Sequence, residues 1–227
     1  MIKLDNITKI YHTGDIDYPA LKGISFTINQ GELVAIVGPS GSGKTTTMNI
    51  MGLLDEPTSG KYYLDDIDTS EFTGNRLAAL RNLRLGFIFQ QYFLLPKLNA
   101  LQNVILPLTY RHDQSISTSE MYERAQAMLK VVGMENYGRH KPMELSGGQQ
   151  QRVAIARALI GKPSIIIADE PTGALDTKTS QEIMDLLKEQ MQNTKTTVVI
   201  VTHSPELAAE CPHEIHIRDG LILQEKK

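Results

Sequence analysis

Positions 38 to 46 read Gly-Pro-Ser-Gly-Ser-Gly-Lys-Thr-Thr, three spaced glycines ahead of a lysine and two hydroxyl residues. Without a Cβ, Gly38, Gly41 and Gly43 let successive backbone N–H groups turn inward. That makes a concavity suited to phosphate oxygens, and a helix beginning there adds the partial positive charge of its N-terminus. In such a loop Lys44 bridges β- and γ-phosphates and Thr45 offers its hydroxyl to Mg²⁺, while Pro39, Ser40, Ser42 and Thr46 complete the lining. The spacing fits G-x-x-x-x-G-K-[ST], and its context is the expected one: an apolar strand, LVAIV, precedes it and a helix-forming run, TTTMNIMGLL, follows. ATP with Mg²⁺ is the ligand this implies.

A second group of chemical residues is a pair of acids. Ile165-Ile166-Ile167-Ala168 is a buried-strand run that ends in Asp169 and Glu170. Ligands of open α/β sheets sit at the carboxyl ends of strands, so Asp169 is placed to hold Mg²⁺ and Glu170, one residue further out, to polarise an attacking water. His203 closes another apolar run, VVIVT, and belongs to the same rim, within reach of a γ-phosphate. The third feature is ELSGGQQQRVAIARAL, residues 144 to 159. Ser146 is a helix N-cap, and Gly147 and Gly148 leave the first-turn N–H groups clear. A helical glycine costs about 1 kcal/mol relative to alanine, so the pair needs a reason. Two remain open on the residues alone: close approach of an anion, or a tight cap where two backbones pack.

These residues need elements to hold them. Short continuous apolar runs at 33–37, 165–168 and 198–201 have the character of parallel strands buried on both faces, whereas residues 2–11, 20–29 and 61–64 suggest a small antiparallel layer. Between about 91 and 160 helical signals accumulate. Ser117 with Glu120 forms a capping box before Met121, Ala125, Met128, Leu129 and Val132, and Gly133 closes that helix. Thr179 with Glu182 is expected to open another, and Ser204-Pro205 a short third. Asp219-Gly220 between apolar alternations predicts a hairpin. The expected fold is α/β, a phosphate-loop NTPase core with a mainly parallel sheet, an antiparallel β subdomain and an inserted helical subdomain at 91–160, all within one domain spanning 1–227.

Composition narrows the function. A net charge of -3 with scattered lysines and arginines offers no broad basic face, which argues against nucleic acid. Cys211 is the only cysteine, so no intrachain disulfide forms. The N-terminus lacks the pattern of a secretory signal, and there is no apolar run of the roughly 18 to 20 residues a bilayer demands; the chain is expected to be soluble by itself.

LSGGQQQRVAIARAL resembles the signature motif of the ATP-binding cassette (ABC) ATPases, and further motifs follow the order of that family. Gln90 in FIFQQ is similar to its Q-loop glutamine, Asp176 in PTGALD to its D-loop aspartate, His203 in VTHS to its switch histidine, and Tyr11, with Tyr18 nearby, to its adenine-stacking aromatic. The resemblance implies a head-to-tail homodimer in which each ATP lies between the phosphate loop of one copy and Ser146, Gly147 and Gly148 of the other. It also implies ATP hydrolysis by Glu170, His203 and Gln90, with Gln90 joining Thr45 and Asp169 around the metal. A membrane permease would receive the stroke at a groove near QYFLLPKLNALQNVILPL, with Phe93 and Leu94 as contacts, so that the chain sits on the cytoplasmic face of the membrane. FIFQQYFLLPKLNALQNVILPL and PTGALD, with Gly173, look like the branch of macrolide and antimicrobial-peptide exporters, lipoprotein-release systems and a cell-division ATPase (MacB, LolD and FtsE types). Efflux or lipid extraction, in some systems with an extracytoplasmic adaptor protein, is the leading expectation, and regulation of cell-wall hydrolysis the alternative. A DNA-maintenance ATPase would need a long coiled coil between phosphate loop and signature, and no sustained heptads occur there.

Overall fold

Strands of two kinds organise the chain, and the burial pattern separates them. The computed structural model describes residues 1–14, 16–111 and 116–227. They form two compact units, Met1–Ala78 with Thr197–Lys227, and Ala79–Thr196.

In the first unit, β1 (Ile2–Thr13) pairs antiparallel with β2 (Ile16–Ile28), and with β4 (Ser59–Leu64) and β5 (Ile67–Asp68) they form a four-stranded layer in the order β2-β1-β4-β5. Alternation buries Ile2 and Leu4 on β1 and Ile24, Phe26 and Ile28 on β2. The second sheet of this unit contains β3 (Leu33–Val37), whose residues are all buried. After β3 the chain enters α1 (Lys44–Met51), β4 (Ser59–Leu64), β5 (Ile67–Asp68) and α2 (Gly74–Arg84), which leads into the second unit. The second unit holds β6 (Leu85–Phe89), α3 (Ala100–Thr109), α4 (Thr118–Val131), α5 (Gly147–Leu159), β7 (Ile165–Asp169) and α6 (Thr177–Thr194). Returning to the first unit, β8 (Thr197–Thr202), α7 (Pro205–Ala209), β9 (His213–Arg218) and β10 (Leu221–Lys226) complete the order.

Parallel register sets what the strands deliver. In the first unit β3 pairs parallel with both β8 and β9, Val37 standing opposite Thr202. In the second unit β6 pairs parallel with β7, Phe89 opposite Asp169. The β9–β10 hairpin turns at Asp219 and Gly220, both left-handed (φ 51 and 79), as the Asp-Gly pair predicts. Cys211 is buried.

Several local expectations change. Ser117 caps α4 by accepting from the Glu120 amide at 3.2 Å, but the Glu120 carboxylate turns to Arg124 four residues on, so the reciprocal half of the box is absent. The helix α6 starts earlier than Thr179 suggests. Asp176 is its N-cap, and one carboxylate oxygen accepts the Thr179 amide at 3.1 Å while the other accepts its hydroxyl at 2.6 Å. The Thr179 hydroxyl is therefore consumed by a stronger cap, and Glu182 pairs with Arg152 instead. The expected helical block at 91–160 contains α3, α4 and α5, with residues 112–115 outside the described residues. Among the described residues no helix is long and apolar enough to cross a membrane.

Candidate functional site

The loop between β3 and α1 is shaped by glycine where nothing else fits. Gly43 has φ 106, and a Cβ on it would lie 2.9 Å from the Ala20 carbonyl oxygen. Lys44 begins α1 and its ammonium donates to the carbonyls of Gly38 (2.7 Å) and Pro39 (2.9 Å), arching over the loop. The Ser42 hydroxyl is buried with no hydrogen-bond partner among the described residues. An unpaired hydroxyl in a glycine-rich loop at a helix N-terminus, beside a lysine, is a fit for phosphate oxygens. Pro39, Ser40, Gly41 and Thr45 are exposed, and Gly38 and Thr46 are half-buried. Because β3 and β8 run parallel with Val37 opposite Thr202, Gly38 and His203 are the next residues out on adjacent strands. His203 is exposed on that shared edge.

On the antiparallel layer of the same unit, Tyr11 stands opposite Tyr18. The Tyr11 phenol donates to Asp55 at 2.8 Å, and the Lys9 ammonium lies 5.0 Å from the ring centroid while it donates to the same carboxylate at 2.5 Å. Burial, then the Asp55 carboxylate, pushes the Tyr11 phenol up, with Thr46 hydrogen-bonding to it in opposition. For Asp55 burial works the other way from its partners, but the bonds from Lys9, Tyr11 and the Glu56 amide outweigh it and hold the carboxyl below its ordinary value. Tyr11 is thus a ring with a fixed edge and one face beside a cation, whereas Tyr18 is exposed.

The second unit assembles its own group. Since Phe89 pairs with Asp169, Gln90 and Glu170 leave adjacent parallel strands side by side. Gly173 lies where they meet: a Cβ there would come 2.9 Å from the Gln90 amide nitrogen and 3.4 Å from the Glu170 Cβ. Glu170 has φ 44, a left-handed conformation costly for any residue with a side chain and concentrated at functional sites. Its carbonyl accepts from the Gly173 amide at 3.0 Å.

Ser146 caps α5 in a full reciprocal box with Gln149, each side chain accepting the other's amide, at 3.3 and 2.9 Å. The two glycines that follow meet neighbours within the chain. A Cβ on Gly147 would stand 3.0 Å from the Tyr92 hydroxyl, and one on Gly148 would stand 2.8 Å from the Thr179 methyl. Asp176, capping α6, holds that threonine in place. Close packing against these side chains accounts for part of what the sequence left open.

Two residues with clear geometry lie outside the sequence expectations. Arg157 on α5 donates to the Tyr92 and Phe93 carbonyls, each at 2.6 Å, two and three residues beyond Gln90. Tyr92 and Phe93 are both left-handed (φ 59 and 45), and burial pulls the guanidinium below its usual value. Gln151, fully buried on the same helix, donates to the Pro171 carbonyl at 2.6 Å. No local pattern announces either, because the bonds span 65 and 20 positions of chain. Of the expected groove contacts, Phe93 is exposed and Leu94 half-buried, while Val104, Ile105 and Leu108 are core.

A phosphate loop and strand-end acids on an α/β scaffold define a nucleotide hydrolase. Residues 21–173 match the ABC transporter family. The chain is 48% identical over its whole length to the uncharacterized ABC transporter ATP-binding protein MJ0796 of Methanocaldococcus jannaschii, covering 97% of it. It is also similar to the macrolide export ATP-binding/permease protein MacB of Syntrophobacter fumaroxidans, at 47% identity over 98% of this chain and 31% of that one. Its structure superposes, with a TM-score of 0.93 and 47% identity over 100% of this chain and 98% of the other, on the dimeric post-hydrolysis structure of the ATP-binding cassette MJ0796 bound to ADP and Pi. The chain belongs to the ABC transporter family and is an ATP-binding subunit with ATPase activity.

Proposed function

We propose that the chain powers a membrane exporter: two copies close on ATP, reopen after hydrolysis, and pass that motion to a permease. The likeness that supports export in particular is the match of nearly this whole chain to the ATP-binding portion of a macrolide export protein that carries its permease in the same polypeptide. A macrolide-type drug, an antimicrobial peptide or a lipid-linked molecule lifted from the bilayer is the cargo class. The chain works at the cytoplasmic face, held by the permease, with an extracytoplasmic adaptor as a further component. Residues 91–160 act as the helical subdomain, with Phe93 and Leu94 turned to the permease.

Each site residue has a chemical task in this reading. Tyr11 stacks on adenine. The loop from Gly38 to Thr46 cradles the phosphates, Lys44 exchanging its loop carbonyls for β- and γ-phosphate oxygens. Thr45, Gln90 and Asp169 supply hydroxyl, amide and carboxylate oxygens, the hard donors that Mg²⁺ takes. That ion, when bound, neutralises charge on the β- and γ-phosphate oxygens. Glu170 accepts a proton from the attacking water, Gln90 orients that water, and His203 hydrogen-bonds the γ-phosphate. Ser146, Gly147 and Gly148, beside Asp176, receive the phosphate held by the other copy. Its contact with both copies gives ATP a much higher affinity for the closed state than for the open one, which is what a ligand needs to drive closure.

Glu170→Gln tests this directly. Turnover should fall at least about 100-fold, as for loss of a general base, while ATP binding persists. Light scattering should then show an ATP-dependent dimer, and a monomer at saturating ATP would overturn the reading.

A further inference from the structure

We propose that Gln151 is a positioning residue for hydrolysis, a strut from the signature helix α5 to the backbone that carries Glu170; this rests on the reading of Glu170 as the base. Gln151 is 0% exposed, in a helix whose following residues Val153, Ala154, Ile155 and Ala156 are apolar and buried. Its Nε2 donates to the Pro171 carbonyl at 2.6 Å, and its Oε1 has no hydrogen-bond partner among the described residues. Burying a primary amide with one end unsatisfied is unfavourable, and an unbranched apolar side chain of similar length would fill the space at less cost. The amide is therefore explained by what its one bond holds.

What it holds is a turn under strain. Glu170 is left-handed at φ 44, and Pro171 has no N–H with which the segment could be tied. Two of its carbonyls are tied: that of Glu170 accepts from Gly173, and that of Pro171 from Gln151. The bond from Gln151 reaches across 20 positions of chain. It also lies three residues, less than one helical turn, beyond Gly148. A phosphate drawing on the first turn of α5 thus acts on a rigid element bonded to the base-bearing turn. The strut aligns Glu170 when the helix start is engaged.

The test compares full-length wild type with Gln151→Met, which keeps the length and removes the donor. It also includes Gln151→Asn, which keeps the amide but withdraws it by one methylene. Both should lower kcat at least about tenfold, the effect expected of a small displacement of a reacting group, with KM for ATP within about twofold of wild type. In a Glu170→Gln background, Gln151→Met should leave the ATP-locked dimer intact. A wild-type kcat in either variant overturns the proposal, as does a loss of kcat matched by loss of ATP binding or of that dimer, which is the signature of a merely structural role. If Glu170→Gln itself retains turnover, the base assignment fails, and the strut with it, irrespective of the Gln151 result. Should both variants unfold, amide exchange of Gly173 in the wild type decides. Slow exchange, and slower still with ATP, is expected; exchange at the rate of an open loop, unchanged by ATP, overturns the strut.

Discussion

The Tyr11 hydroxyl and the Lys9 ammonium share one carboxylate. It belongs to Asp55, and its folded value lies below its ordinary 3.8. With a lowered folded value, the stabilisation is complete above the unfolded pKa and is lost as pH falls through the folded one. The stability gap between wild type and Asp55→Asn should therefore be present at pH 6 and shrink as acid denaturation curves are taken below about pH 4. Unchanged separation down to pH 3 would contradict it. At Gly173 the constraint is space rather than charge. Gly173→Ala adds a methyl beside the Gln90 amide and should displace it, lowering kcat about tenfold with nucleotide affinity preserved, as ATPase assays and ATP titration would show. Chemical residue types were legible in the sequence because their spacing is local: phosphate loop, strand-end acids, serine cap. Gln151 and Arg157 were not, since their meaning depends on carbonyls distant in the chain and carbonyls leave no trace in residue identity.

At the scale of elements, the register of parallel strands brings Gln90 beside Glu170 and Gly38 beside His203, which no single run of residues reveals. The strand β6 escapes notice because its five residues, LGFIF, follow a charged helix end without a turn signal. The α6 start was misplaced for the opposite reason: two local caps compete, and Asp176, accepting both a backbone and a side-chain donor, wins over Thr179. α5 is the element to which most of the second unit's chemistry is tied, by its cap, by Gln151 and by Arg157. Removing the last should be costly. Arg157→Ala leaves the Tyr92 and Phe93 carbonyls without their charged donor, with an expected loss of about 2 kcal/mol in denaturant unfolding. Arg157→Lys, which keeps the charge but loses the planar fork, should recover only part of it.

For the whole molecule, family likeness extends over the full chain, so the scaffold and the ATPase chemistry are common property of a large group. Composition yields an expectation by exclusion only, that a chain of net charge -3 with scattered lysines and arginines is not patterned for nucleic acid. The cargo is the least legible property, because in the proposed reading the permease and not this chain selects it. Pattern reading gave the apolar cores of the strands and the caps Ser117, Ser146 and Ser204, which depend on periodicity and near neighbours, but not Asn99 at the start of α3 or Asp176 at the start of α6. How the glycine pair of α5 divides its loyalties is a matter of what it touches.

Gly148 faces the Thr179 methyl across a gap too small for a Cβ. Loss of activity on enlarging this glycine therefore has two explanations that a single substitution cannot separate, crowding inside the chain and loss of the proposed contact across the dimer. The pair can be exchanged small for large. If internal crowding is the obstacle, Gly148→Ala combined with Thr179→Ser, which removes the methyl and keeps the hydroxyl on Asp176, should regain ATP-dependent dimerisation lost in Gly148→Ala. If the trans contact alone demands glycine, the double variant stays monomeric in light scattering. The signature glycine would then be open to compensation by its neighbour in one case, and irreplaceable in the other.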